Sequence, residues 1–171
     1  MTEPVFPVAI VGVGNMGGAM AANLLARHWP VHVCDLLPER SQALTALGAT
    51  AHAAPCDAAR DAHVTIVCVV DAPQTRDVLF GAGAVAQAMR LGRCVMLCPT
   101  MAPDDVEAIA LELRPFGLHA IDAPMSGAQI AAEERRLSFM LGGAPEALRM
   151  PDAKMLVLVP TRVQTPPKID A

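Results

Sequence analysis

Short apolar runs alternate with helix-like segments through most of the chain. Val8 to Val11 is a continuous apolar run that stops at Gly12, and Asn15 to His28 reads as a helix. Val31 to Cys34 predicts a second strand, and Pro38 to Leu47 a second helix closed by Gly48. A short strand is expected near Thr50, then a brief helix from Cys56 to Arg60. Val64 to Val70 is the most apolar stretch and has the β-branched enrichment of a buried parallel strand. Helical segments follow from Pro73 and over Ala84 to Met89, and Cys94 to Cys98 predicts a further strand. Pro103 opens a helix to about Leu113, with Asp104 and Asp105 in its first turn. His119 to Asp122 and Leu137 to Leu141 complete the strands. Repeated strand–helix–strand units with short connections predict a doubly wound α/β fold whose mainly parallel sheet is covered on both faces.

The last stretch breaks this rhythm. From Pro151 onward the chain holds four of its fifteen prolines and both of its lysines, Lys154 and Lys168. Met155 to Val159 could add a strand, but Pro160, Pro166 and Pro167 exclude a helix. The pattern therefore predicts one domain over residues 1–145 and an irregular, proline-containing tail over residues 146–171.

Composition narrows the class. With 171 residues, 53% of them apolar and 18% charged, the chain is a globular protein with room for one core. There is no Tyr, one Trp and four Phe, so no aromatic platform exists for single-stranded nucleic acid, and the net charge of −4 disfavours a phosphate backbone. No apolar run approaches the roughly 20 residues that cross a bilayer. The first residues lack a signal-peptide pattern. Five cysteines without framework spacing read as reduced thiols, so a cytoplasmic protein is expected. Cys94 and Cys98 sit about 13 Å apart along a strand and cannot chelate one ion. The five histidines have no local ligand spacing and read as surface or packing residues.

One motif carries chemistry. Gly12-Val-Gly14-Asn15-Met16-Gly17 lies between the first strand and the first helix, the context in which such a loop holds a dinucleotide. Gly12 permits the tight turn, Gly14 lets the backbone approach a diphosphate, and Gly17 lets the helix pack on the strand. The helix N-terminus then offers unpaired N–H groups to the anion. Gly12, Gly14, Asn15, Met16 and Gly17 are thus candidate cofactor-binding residues of a Rossmann-type domain. Asp35, eighteen positions beyond Gly17, ends the second strand, where a carboxylate accepts the ribose hydroxyls and repels a 2′-phosphate. NAD is expected and NADP disfavoured, although Arg40 is nearby. The competing reading of Asp35 is a surface residue capping the next helix.

The residues from Gly12 to Leu24 resemble the opening of the β-hydroxyacid dehydrogenases, the 3-hydroxyisobutyrate dehydrogenase group. Three further segments match in order: Asp71 to Gly81, Pro99-Thr100-Met-Ala-Pro103, and Asp122-Ala-Pro-Met-Ser126-Gly127. Met140-Leu-Gly-Gly143 closes the run. The resemblance implies that Val69 and Val70 contact the cofactor and that Thr100 lines the nicotinamide pocket. It places Ser126, Gly127 and Ala128 at the substrate carboxylate, where a hydroxyl and turn N–H groups make an anion nest. Ala128 replaces a second glycine of that motif, Arg135 stands where glycine is usual, and Pro99 stands where serine is common.

The family's catalytic lysine has no counterpart, since neither Lys154 nor Lys168 lies in a glycine-rich helical context. The resemblance therefore implies the cofactor half of an NAD-dependent oxidoreductase of small β-hydroxy acids. That half is truncated before the second, helical domain, inert alone, and binds substrate weakly if at all. Its uncovered apolar surface is expected to self-associate. The alternative is a non-catalytic NAD-binding module or the inert product of an interrupted gene. A short-chain dehydrogenase is excluded because that class needs a tyrosine, and the NADP preference of 6-phosphogluconate dehydrogenase conflicts with Asp35.

Overall fold

The computed structural model describes residues 5–126, 138–150 and 162–164. Strands β1 (Val8–Val11), β2 (Val31–Cys34), β3 (Thr50–Ala51), β4 (Val64–Val67), β5 (Cys94–Leu97) and β6 (His119–Asp122) pair side by side in parallel. With β9 (Gly142–Gly143) added antiparallel to β6, the sheet order is β3-β2-β1-β4-β5-β6-β9. The order reverses between β1 and β4, which makes that boundary the switch point of a doubly wound sheet. A smaller sheet joins β7 (Met125–Ser126), β8 (Ser138–Met140) and β10 (Arg162–Gln164).

Side-chain alternation along each strand divides the core between the two faces. Val8 and Ile10 of β1, Val64 and Ile66 of β4, and Cys94 and Met96 of β5 pack on one side. They meet Met20, Ala21 and Leu24 of helix α1 (Asn15–Leu25) and Leu44 of α2 (Pro38–Thr45). Val11, Val67, Val95 and Leu97 face the other way. They meet Leu79 of α4 (Ala72–Phe80), Val85 and Ala86 of α5 (Val85–Ala88), and Ile109 and Leu113 of α6 (Pro103–Leu113). On this side α3 (Pro55–Ala59) sets Ala58 against Ala9 and Cys34. Both faces are covered, as the near-continuous apolar strands require.

Several boundaries differ from the sequence pattern, each for a local reason. Helix α1 stops at Leu25 rather than His28: His28 adopts a left-handed φ of 63° and the Trp29 N–H returns to the Leu24 carbonyl, a C-terminal turn that redirects the chain into β2. Strand β4 ends at Val67, level with its partners β1 and β5, so Cys68, Val69 and Val70 leave the sheet as a connection and Val70 is 76% exposed. Strands β7, β9 and β10 and the short helix α7 (Pro145–Leu148) were not expected from the pattern. Thus three residues of the proline-containing tail form a strand, parallel to β8. Leu137, Met155 to Val159, Lys154 and Lys168 lie outside the described residues.

None of the five cysteines forms a disulfide, and Cys34, Cys94 and Cys98 are buried. Among the described residues no helix is long and apolar enough to cross a membrane.

Candidate cofactor site

The site is built at the carboxyl edge of the sheet, on the loop that joins β1 to α1. Gly12 has φ +90°, and a β-carbon there would lie 2.5 Å from the Cys68 carbonyl oxygen. At Gly17 a β-carbon would overlap the Gly12 carbonyl oxygen, so only glycine lets α1 start this close to β1. Gly14 differs: the nearest atom to a β-carbon there is Arg40 Nη1 at 3.7 Å, which leaves that side of the loop open. Gly14 is also the N-cap of α1 and supplies no side-chain cap, so the Asn15 and Met16 N–H groups have no intrahelical partner, whereas the Gly17 N–H lies against the Cys68 sulfur. Asn15 is exposed beside them, whereas Met16 packs partly into the core.

Asp35 follows β2 directly and binds the loop rather than standing off it. Its Oδ2 accepts from the Val13 N–H at 2.7 Å and its Oδ1 from the Leu37 N–H at 2.9 Å. The second bond ties Asp35 to Leu37, the N-cap residue of α2, but no side chain caps the helix itself, so Asp35 is not the surface helix cap of the competing reading. The side chain is 6% exposed, and Arg40 Nη1 lies 3.6 Å from Oδ1. An ionised carboxylate has about four lone-pair positions, so two hydroxyl donors can still be accommodated.

A cavity of about 490 Å³ opens beside Asp35 and brings together Gly12, Asp35 and Val69 with Leu36, Val78 and His52. That volume falls within the range of small-molecule sites. Val70 and Thr100 each stand three residues beyond the paired Val67 and Leu97, in the connections that leave the sheet, and both are exposed. Neither lines the cavity. Asp71 caps α4 by accepting from the Gln74 N–H at 2.9 Å, and Gln74 Oε1 accepts from the Val70 N–H, which fixes the β4–α4 connection. Ser126 is exposed on β7, away from the cavity, and Gly127, Ala128 and Arg135 lie outside the described residues.

Two cysteines near the loop are held in their neutral thiol form. Burial pushes the Cys68 thiol up to about 11, against the Gly17 N–H that favours its thiolate. Burial also holds the Cys98 thiol well above its ordinary value. Among the described residues no cluster of three or more metal-binding side chains exists.

The sequence reading missed a pair of histidines. His32 Nδ1 and His52 Nε2 are 2.9 Å apart, a hydrogen bond made across neighbouring strands and therefore invisible to a search for local spacing. A second cavity, of about 850 Å³, lies between α6, β6, β9 and α7 and is bordered by Asp122, whose carboxyl burial pushes upward.

Residues 7–155 match the family described as the NAD binding domain of 6-phosphogluconate dehydrogenase. The chain belongs to the β-hydroxyacid dehydrogenase family, as an NAD-binding domain. It is 36% identical over 140 residues to the L-threonate dehydrogenase of Cupriavidus necator, covering 82% of this chain and 47% of that protein. It is 33% identical to the NAD-dependent L-serine dehydrogenase of Pseudomonas aeruginosa, again over 82% of this chain and 47% of that one. The crystal structure of a 3-hydroxyisobutyrate dehydrogenase from Salmonella typhimurium superposes with a TM-score of 0.85 at 31% identity, over 94% of this chain and 57% of that chain. The chain thus spans about half the length of the curated relatives it matches.

Proposed function

We propose that residues 1–145 are the cofactor-holding half of an oxidoreductase of small β-hydroxy acids, that they take NAD in preference to NADP, and that residues 146–171 are an appendage. Asp35 carries the nucleotide assignment. Its carboxylate is held by two backbone N–H groups at the cavity mouth, where it would accept the adenosine-ribose hydroxyls and repel a phosphate on one of them. Arg40 offsets that charge only in part, because its side chain is 49% exposed and screened.

The loop fits a dinucleotide. The open side of Gly14 and the uncapped start of α1 would take the diphosphate, with Asn15, Met16 and Gly17 beside it. The exposed Val70 and Thr100 would flank the nicotinamide, and Val69 the adenosine side. The bound cofactor supplies the hydride acceptor. Ser126, with Gly127 and Ala128, would hold the substrate carboxylate. Threonate, serine and 3-hydroxyisobutyrate, the substrates in the relatives' names, all carry a hydroxyl one carbon removed from the α-position. Neither Lys154 nor Lys168 stands in the sequence context of the family's catalytic lysine, so this chain alone would bind cofactor without turnover.

Calorimetric titration of NAD and NADP into the purified chain and its Asp35→Ala variant tests the assignment. NAD should bind more tightly to the wild type, and the variant should weaken NAD and narrow the gap. Tighter NADP binding by the wild type would overturn it.

A further inference from the structure

Asp35 at the ribose position and the glycine loop at the diphosphate position fix where the rest of the nucleotide must go. The 490 Å³ cavity continues from Asp35 toward the β2–β3 side of the sheet, the place left for the adenine base. Its wall is mostly apolar: Leu36, Pro38, Pro55, Val69 and Val78 suit the faces of a purine. Leu36 is 92% exposed at this mouth, an apolar surface that a bound base would cover. Ser41 borders the same space, and its buried hydroxyl has no hydrogen-bond partner among the described residues.

His52 is the one aromatic ring among the described residues that line this cavity. It directly follows β3 and is anchored by its backbone N–H to the Val33 carbonyl at 2.8 Å. Register places Thr50 opposite His32, so His52 stands two residues further along β3's course, toward the carboxyl edge. From there its Nε2 reaches back to His32 Nδ1 at 2.9 Å, with ring centroids 5.1 Å apart. His32 itself does not line the cavity. Desolvation and the His52 ring lower the pKa of His32, against the pull of Asp61, so at neutral pH His32 is uncharged and one N–H serves the bond. Asp35 and Asp77 are the carboxylates at the cavity wall, and Cys34 is the thiol there.

We propose that His52 contacts the adenine base and that His32 is a positioning residue that fixes the orientation of the His52 ring. The inference rests on the cofactor reading above and extends it to the base. Contact between a base and an aromatic side chain is typically worth on the order of a tenfold or greater change in affinity.

Calorimetry on the whole chain with NAD and with ADP-ribose as probes decides it. His52→Ala should weaken both by the same factor, on the order of tenfold, because the lost contact lies in the half they share. His52→Gln keeps an atom at the Nε2 position but no ring and should weaken both similarly; His52→Phe keeps a ring and should retain most of the affinity. His32→Leu should lose part of the affinity. His32→Asn presents an amide nitrogen where Nδ1 stood and should restore it, a rescue that mere packing would not give. Thermal melts identify any variant that fails to fold, in which case the Gln and Phe pair carries the test. Unchanged ADP-ribose binding in the folded His52→Ala or His52→Gln variant would overturn the inference while leaving the cofactor reading intact. No binding of NAD by the wild type would overturn both.

Discussion

Alanine at Gly14 and at Gly17 should separate cofactor binding from folding, because the same added methyl group meets different surroundings. At Gly17 it would overlap the Gly12 carbonyl oxygen and lie 3.1 Å from the carbonyl carbon and 3.4 Å from Cys68 Cβ. Backbone cannot rotate away, so α1 must lift from β1. Overpacking of this kind costs about 1–3 kcal/mol, and the better helix propensity of alanine returns at most about 1 kcal/mol. Because the overlap is with backbone the cost lies at the upper end, and a net loss of about 2 kcal/mol corresponds to a fall of about 4–8 °C in Tm for a chain of this size. At Gly14 the methyl group meets only Arg40 Nη1 at 3.7 Å, so the stability cost is that of a poorer N-cap, under about 1 kcal/mol. That methyl group projects into the space assigned to the diphosphate. Loss of one charge-assisted hydrogen bond, about 1.5–3 kcal/mol, predicts roughly ten- to hundredfold weaker NAD binding. Thermal unfolding followed by circular dichroism and NAD calorimetry on both variants make the comparison. A Gly14→Ala variant that binds NAD like the wild type, or a Gly17→Ala variant that melts with it, would refute the reasoning.

Three further outcomes follow from the same geometry. The purified chain should form no NADH from a panel of small β-hydroxy acids, since losing general acid–base help costs on the order of 10² to 10⁴ in rate; robust turnover abolished by Lys154→Ala or Lys168→Ala would show a complete active site. Exposed Leu36, Val70 and Leu91 and the open 850 Å³ groove at α6 and α7 should make the chain self-associate, and light scattering showing a clean monomer at high concentration would contradict this. Stability should fall as pH rises from 9 to 11. The unfolded Cys68 thiol ionises near 9.0 and the buried one near about 11, so the unfolded chain loses its proton first; below pH 9 this contribution, about 2–3 kcal/mol, is fully present. Urea midpoints at about pH 8 and about pH 10.5 check the slope, and Cys68→Ala should reduce it, leaving the part that the buried Cys34 and Cys98 thiols contribute.

Much of this architecture was legible in the chain because the parallel strands are buried on both faces. Val8 to Val11, Val31 to Cys34 and Cys94 to Leu97 announce themselves as apolar runs, and the glycine loop fixes the junction between β1 and α1. Strand ends were less legible, because they depend on where neighbouring strands stop: Val69 and Val70 are as apolar as Val67 but have no ladder to join. Two-residue strands such as Met125–Ser126 and Gly142–Gly143 carry no period at all, and their pairing is a tertiary outcome. For the site, the fixed spacing of the glycines and Asp35 could be read directly. The two backbone N–H bonds of Asp35 and the His32–His52 bond depend on strand register, which no local motif encodes.

The most direct test of the account is to map NAD onto the molecule by backbone amide chemical shifts. Titration of NAD into the isotope-labelled chain should move the resonances of Gly12 to Gly17, Asp35 to Leu37, Val69, Val70 and Thr100, and leave the α6–β9 groove unmoved. Shifts confined to that groove, or none at the glycine loop with NAD in excess, would contradict the placement of the cofactor at the carboxyl edge of β1 and β4.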